Sequence, residues 1–496
     1  MPLALHPAVT ALPVRPRSAA RSAWWGLAGV LVLASIVQQA WLGLDCDVSW
    51  LLTVGERWLG GARLYRDVVE VNPPASVLLY SPAIVIGRAT GIGADGATVA
   101  LASMLAMVVV AVTGRALMRD GVLARQQGPV MAVAAAFVFG VLPAACFAQR
   151  EHVAVLLALP ALAVIARRAC GMPVARRAAL VAGAAGGMAI AIKPHFALAF
   201  ALPVMVAAVR RRSLRAAIGA EVVAASVVVV GYGVVVLTLF PDYMAMLPIL
   251  RAVYLPLRLD AVTLLRGPVV ALPVAIGALA WWVRGARMGA VPAVLGAAAL
   301  GFAVAGVVQG KGYLNHAYPA AALGFLALAV VVSGAGPFRR SRAAATLAGV
   351  ALALLEWHAF ASIADHPGLA EAVARVAPPH PRIAALTTEI GVGHPLVRQL
   401  GGEWVMRSGA AWAAGGAAAR LAAGGLAPEE RRRLVAIGAA DEAAFVADVT
   451  RGRPDVVLVD GTLSDWMRHP AVAGVLRGYR PSAVVGDVAI WTRRPG

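Results

Sequence analysis

Apolar residues come in runs of about 20, and the short stretches between the runs are dominated by arginine. Each run has the length of a membrane-crossing helix, and arginine-rich connections are the signature of loops held on the cytoplasmic side. Arg15, Arg17 and Arg21 precede the first run, which puts the N-terminus inside and Asp45, at the far end, outside. Further clusters begin at Arg115, Arg167, Arg210, Arg284 and Arg339. If all of them share one side, the chain crosses an odd number of times between Asp45 and Arg115. Two apolar runs lie there. The first, 75–92, follows Pro73-Pro74 and carries Arg88, so it reads as a juxtamembrane or re-entrant helix, and 97–117 makes the crossing.

The spans then fall at 24–44, 97–117, 128–147, 152–167, 178–192, 195–209, 216–239, 268–284, 290–308, 317–334 and 343–363, about eleven in all with soft boundaries. Within 44–82, Trp50, Leu51, Val54, Trp58 and Leu59 share one face of a short amphipathic helix, closed by Gly60-Gly61. After 364 the pattern changes. Strand-like runs at 382–388, 455–460 and 483–492 alternate with helical ones at 441–451 and 469–477. The expectation is a polytopic α-helical membrane module over 1–364, with a first outer loop at 45–96, and a small soluble α/β domain over 365–496 in the outer compartment. The glycine-rich stretch 415–425 reads as a mobile connection.

Composition agrees and removes one alternative. Hydrophobic residues make up 60 % of the 496 and charged residues 14 %, outside the range of a water-soluble domain. The formal charge of +19 arises from loop arginines between apolar runs and not from one face of a soluble domain, so no nucleic-acid partner is expected. Cys46, Cys146 and Cys170 show neither paired nor metal-ligand spacing. The first apolar run lacks a small-residue cleavage site and reads as an uncleaved anchor.

The chemistry gathers at predicted outer boundaries. The first loop holds Asp45 and Asp47, Tyr65, Glu70 and Asn72. The later boundaries hold Gln149-Arg150-Glu151-His152, Lys193-Pro194-His195, and 309–316 with Lys311, Tyr313 and His316. Three boundaries thus offer a cation, with carboxylates facing them. A pocket that binds a phosphate headgroup and activates a hydroxyl needs this mixture. Asp45-Cys46-Asp47 also has the D-x-D spacing of a divalent-metal site, although Asp47 before Val48-Ser49-Trp50 equally suits a helix cap. Arg150 and Glu151 read equally as a snorkelling interfacial pair. No zinc, phosphate-loop or nucleophile-elbow motif occurs.

These residues carry a resemblance. The first-loop acid followed by Trp58, Gly61, Tyr65, Asp67, Asn72, Pro73 and Pro74 resembles the GT-C glycosyltransferases, in the branch of RgtA/B/C/D-like enzymes and the aminoarabinose and protein mannosyl transferases. It is specific over 40–90 and looser beyond. The resemblance implies a GT-C fold and transfer of a sugar from a polyprenyl-phosphate carrier to an extracytoplasmic glycan, lipid or protein acceptor. Asp45 or Asp47 matches the family's general base and Glu151 its second acid, with Lys193 and Lys311 near the carrier phosphate. Tyr65, Glu70, Asn72, Gln149, Arg150, His152, His195, Tyr313 and His316 complete the expected substrate contacts. A cofactor is not required by such chemistry, and a divalent cation at Asp45 and Asp47 stays open. Glu70 stands where relatives often carry a basic residue, and Asp-Cys-Asp replaces the commoner Asp-Glu pair, which bears on the substrate. The competing class is a lipid-linked-sugar flippase or small-molecule transporter. Against it, polar groups cluster at one face and no inverted repeat is visible.

Overall fold

A computed structural model describes residues 17–334, 339–362 and 366–495. The expected domain boundary at 364/365, like Arg15, lies outside the described residues. Every predicted span has a helical counterpart. Eight described helices are long and apolar enough to cross a membrane. The remaining three are shorter: Arg176–Ile192, Leu198–Arg211, and Gly128–Ala136 with its π-helical continuation Phe137–Val141. The run at 75–92 is two short helices, Ala75–Leu78 and Ser81–Thr90, as the parity argument requires.

The helix Arg150–Ala169 forms the axis of the bundle, with nearly every side chain buried. Its neighbours close on it through small residues. A Cβ on Gly183 would meet the Glu221 backbone, so Arg176–Ile192 and Ala220–Leu239 approach to backbone contact. The arginine clusters converge at one end. There Arg167 donates to the carbonyls of Ala116 (2.8 Å) and Pro173 (2.9 Å), and Arg168 pairs with the buried Glu221 at 2.5 Å. The loop 43–74 and the C-terminal unit occupy the opposite end.

The C-terminal unit is a five-stranded sheet of order β2-β1-β3-β5-β4, where β1 is Arg382–Leu386, β2 Glu403–Trp404, β3 Val456–Val459, β4 Tyr479–Val485 and β5 Val488–Arg493. The pairs β1–β2 and β1–β3 are parallel, and β3–β5 and β4–β5 antiparallel. Two expectations are corrected. The single strand at 483–492 is a hairpin, because Gly486 at φ 60° turns the chain between β4 and β5. The expected mobile connection at 415–425 is largely a helix, Trp412–Ala423. Its glycines serve close packing: a Cβ on Gly416 would run into the Val253 carbonyl.

The unit is fastened to the first loop. Val69 N donates to Arg407 O at 2.7 Å, Arg57 Nη1 to Met406 O at 2.6 Å, and Arg398 bridges Glu56 (2.7 Å) and Asp95 (2.6 Å).

Candidate active site

Four consecutive polar residues open the axial helix, and each reaches a different part of the chain. Gln149, at the N-cap, donates from Nε2 to Asp45 Oδ2 and accepts from Asn315 Nδ2 at 2.6 Å. Arg150 Nη2 pairs with Asp47 Oδ2 at 3.1 Å. Glu151 Oε1 pairs with Lys193 Nζ and lies 3.6 Å from His316 Nε2. Lys193 Nζ also meets Gln309 Oε1 at 3.1 Å and His316 Nε2 at 3.3 Å. The boundaries at 45–47, 149–152, 193–195 and 309–316 thus form one buried network. Arg150 is 5 % exposed and Glu151 1 %, a degree of burial that charges tolerate only when paired.

Not every expected residue joins it. His152 spends both ring nitrogens internally, Nδ1 accepting from Ala148 N at 3.0 Å and Nε2 facing Phe139 O at 3.1 Å. It packs between Phe147 and Tyr318 as a pin for the π-helical turn, so no ring nitrogen is left for a ligand. Lys311 does not converge with Arg150 and Lys193. Its Nζ donates to the carbonyls of Tyr254 and Leu257, both at 2.6 Å, and lies 4.1 Å from the Tyr254 ring centroid. Burial and the nearby Arg258 pull its amine down to about 8. Tyr313, half-exposed, stacks on His316 at 5.5 Å and marks the rim, and His195 leans edge-on to Phe196 beside Lys193.

In the first loop the capping expectation is reversed. Asp45, not Asp47, is the N-cap of Cys46–Leu59, its Oδ1 accepting from Val48 N at 3.0 Å. The helix begins one residue after Asp45, which leaves Asp47 in its first turn with a side chain 33 % exposed. Glu70 is fully buried and accepts from Asn72 N at 2.8 Å, from the Asn72 side chain and from Trp50 Nε1. Burial raises its carboxyl above the ordinary range, against the Arg150 charge and these donors. Tyr65, at φ 72°, donates to Asn72 O at 2.7 Å and so fixes the turn that presents Glu70.

Four buried polar atoms around the network have no hydrogen-bond partner among the described residues: Arg150 Nη1, Glu151 Oε2, His195 Nε2 and His316 Nδ1. Buried atoms of this kind call for a ligand or water. Arg150 already neutralises Asp47, the Gln149 amide faces Asp45, and no three His, Cys, Asp or Glu converge among the described residues. Gln309 and Asn315, which lie in the stretch 309–316 but were not among the expected site residues, join the network through Lys193 and Gln149. Behind the network an apolar cavity of about 560 Å³ lies between Arg17–Leu42, Gly93–Met118 and Gly128–Ala136. Phe139 and Phe147 line its near end.

The architecture has solved counterparts. The chain has the fold of ArnT. It matches ArnT from Cupriavidus metallidurans bound to undecaprenyl phosphate with TM-score 0.55 and 14 % identity, covering 96 % of this chain and 98 % of that one. The same protein in the apo state gives 0.58 and 15 %, with coverage of 95 % and 98 %. No family model matches the chain, and no curated protein does. The likeness runs over nearly the whole length, so the chain shares the fold of these structures from end to end. The protein is a multi-pass membrane protein with an ArnT-like architecture.

Proposed function

We propose that this protein is a membrane glycosyltransferase that moves a sugar from a polyprenyl-phosphate carrier to a hydroxyl of an extracytoplasmic acceptor, with inversion. The observation that carries the reading is the Asp47–Arg150 pair, 3.1 Å apart at the head of a buried helix, with Arg150 Nη1 unpartnered. It is supported by a fold shared with an enzyme solved with undecaprenyl phosphate. Asp47 is the general base. One carboxylate oxygen is held by Arg150, and the other has no partner among the described residues. It takes the proton as the acceptor oxygen bonds to the anomeric carbon. The bond from that carbon to the phosphate oxygen breaks, and polyprenyl phosphate leaves as an anion held by Arg150 Nη1. Asp45 orients the helix that carries Asp47. Glu151 holds the Lys193 amine in place. The apolar cavity behind Phe139 offers room for isoprenoid units, and the arginine-rich end faces the cytoplasm.

The test is transfer from synthetic polyprenyl-phosphate sugars by the full chain in lipid nanodiscs, with release of polyprenyl phosphate as the readout. Asp47→Asn is expected to lower the rate by about 10²–10⁴-fold with folding intact. Unchanged transfer removes the base and the mechanism with it.

A further inference from the structure

A second cleft, of about 720 Å³, opens between the first loop and the C-terminal unit. Arg57, Arg66 and Asp67 line one wall, and Arg382, Arg407 and Arg451 the other. In all, six arginines face three carboxylates across the lining. Some are already answered. Arg398 bridges Glu56 and Asp95, and Arg382 pairs with Glu403 at 3.1 Å. Arg407 (2.9 Å) and Arg451 (2.8 Å) share the single buried carboxylate of Asp448. Two guanidinium groups make no ion pair among the described residues. Arg57 donates to the main-chain carbonyls of Met406 and Asp67, with the carboxylates of Asp448, Glu403 and Asp67 acting on its charge from farther off. Arg66 is exposed, and its side chain has no hydrogen bond or ion pair among the described residues. Planar guanidinium forks on two walls of a polar cleft match carboxylate or phosphate oxygens in a way that lysines do not. The volume is that of a site for a molecule of several rings and exceeds what a lone ion needs.

The first loop runs from the cleft toward the network, since Glu70 lies near enough to Arg150 for that charge to act on its carboxyl. Arg66 and Asp67 line the cleft, while Glu70 lies against Trp50 on the other side. Four residues of backbone span at most about 14 Å, so Glu70 lies within that distance of Arg66 at the cleft wall.

We propose that this cleft binds the carboxylate or phosphate groups of an acidic glycan, the acceptor, while its hydroxyl end enters the buried network. The proposal rests on the transferase reading for the role of the ligand, but not for its binding. The experiment measures binding to the full chain in nanodiscs without donor, using tetragalacturonate, glucose 6-phosphate and neutral maltotetraose. At least one anionic probe is expected to bind saturably and more weakly as salt rises, and maltotetraose not to bind. Arg66→Glu, at an exposed position with no partner to lose, is expected to weaken that binding about tenfold. The arms with carboxylate and phosphate probes tell the two anion types apart. Binding of maltotetraose as tight as the acidic probes, indifference to Arg66→Glu, or no anionic binding at all overturns the proposal. Asp47→Asn is expected to lose transfer and keep binding. Normal transfer in that variant, with Arg66-dependent binding intact, sinks the transferase reading and leaves the anion site standing.

Discussion

The indole of Trp50 packs against the imidazole of His394, ring centroids 5.2 Å apart, and His394 in turn packs against Trp404 at 4.9 Å. Trp50 also donates to Glu70, so the first loop and the C-terminal unit share one aromatic stack beneath the site. The unit is therefore part of the wall that positions the loop.

That stack predicts acid sensitivity. His394 is fully buried with neither ring nitrogen partnered among the described residues, and burial pushes its imidazole down to about 3. A histidine held neutral when folded protonates freely when unfolded. Stability is thus unaffected above about pH 6.5 and falls as pH drops below it, by about 2 kcal/mol at pH 5. His394→Phe keeps the aromatic filling and removes the proton site. Thermal unfolding followed by circular dichroism is expected to show a smaller loss of Tm between pH 7 and pH 5 in the variant. Equal losses exclude His394 as the source.

The two first-loop acids separate by substitution. Asp45→Asn retains a good capping residue, whereas Asp45→Ala removes the cap at a cost of about 1 kcal/mol. Both leave Asp47 in place, so Asp45→Asn is expected to keep at least about tenfold more transfer than Asp47→Asn. The reverse order, measured by initial rates in nanodiscs, would make Asp45 the base and Asp47 the accessory acid.

The membrane architecture was legible because arginine spacing and apolar runs carry it redundantly, and the run at 75–92, set aside on parity, is two helices of four and ten residues. The four boundaries of the site stood out because a charge among Ala, Val and Leu has few bland explanations. What stayed hidden was the pairing of atoms. Polarity at His152 does not tell that Ala148 and Phe139 consume both nitrogens. A lysine between glycines at 311 looks poised for phosphate, yet two carbonyls 54 and 57 residues away claim it. Asp45 and Asp47 both fit a cap until the first helical residue is known. Gln309 and Asn315 lie within the stretch 309–316, but their partners Lys193 and Gln149 come from other helices, and spacing along the chain does not join them.

The buried pair of Glu151 and Lys193 gives a prediction in which stability and activity part company. Removing one member leaves the other charged and unpaired in the bundle, at a cost of about 3–5 kcal/mol. Glu151→Gln and Lys193→Met are each expected to lower Tm sharply. The double variant Glu151→Met, Lys193→Met replaces the pair by apolar groups of similar length and is expected to regain much of that loss. Transfer is not expected to return with it, because Arg150 then lacks the neighbouring charge that sets the polarity of the phosphate site. Recovery of both stability and transfer would show that the pair only fills space.

Lys311 supplies the pH test of the rim. Its amine, drawn down to about 8 by burial and by Arg258, is charged at neutral pH and loses its proton as pH rises through that value. At 4.1 Å from the Tyr254 ring it contributes positive field at the mouth of the site without touching the network. Affinity for a polyprenyl phosphate, measured by tryptophan quenching in nanodiscs, is therefore expected to weaken between pH 7 and pH 9. Lys311→Arg keeps its charge throughout that range and is expected to abolish the fall, whereas Lys311→Met is weak at both ends. A wild-type decline that survives unchanged in Lys311→Arg assigns the titration to another group and removes Lys311 from carrier binding.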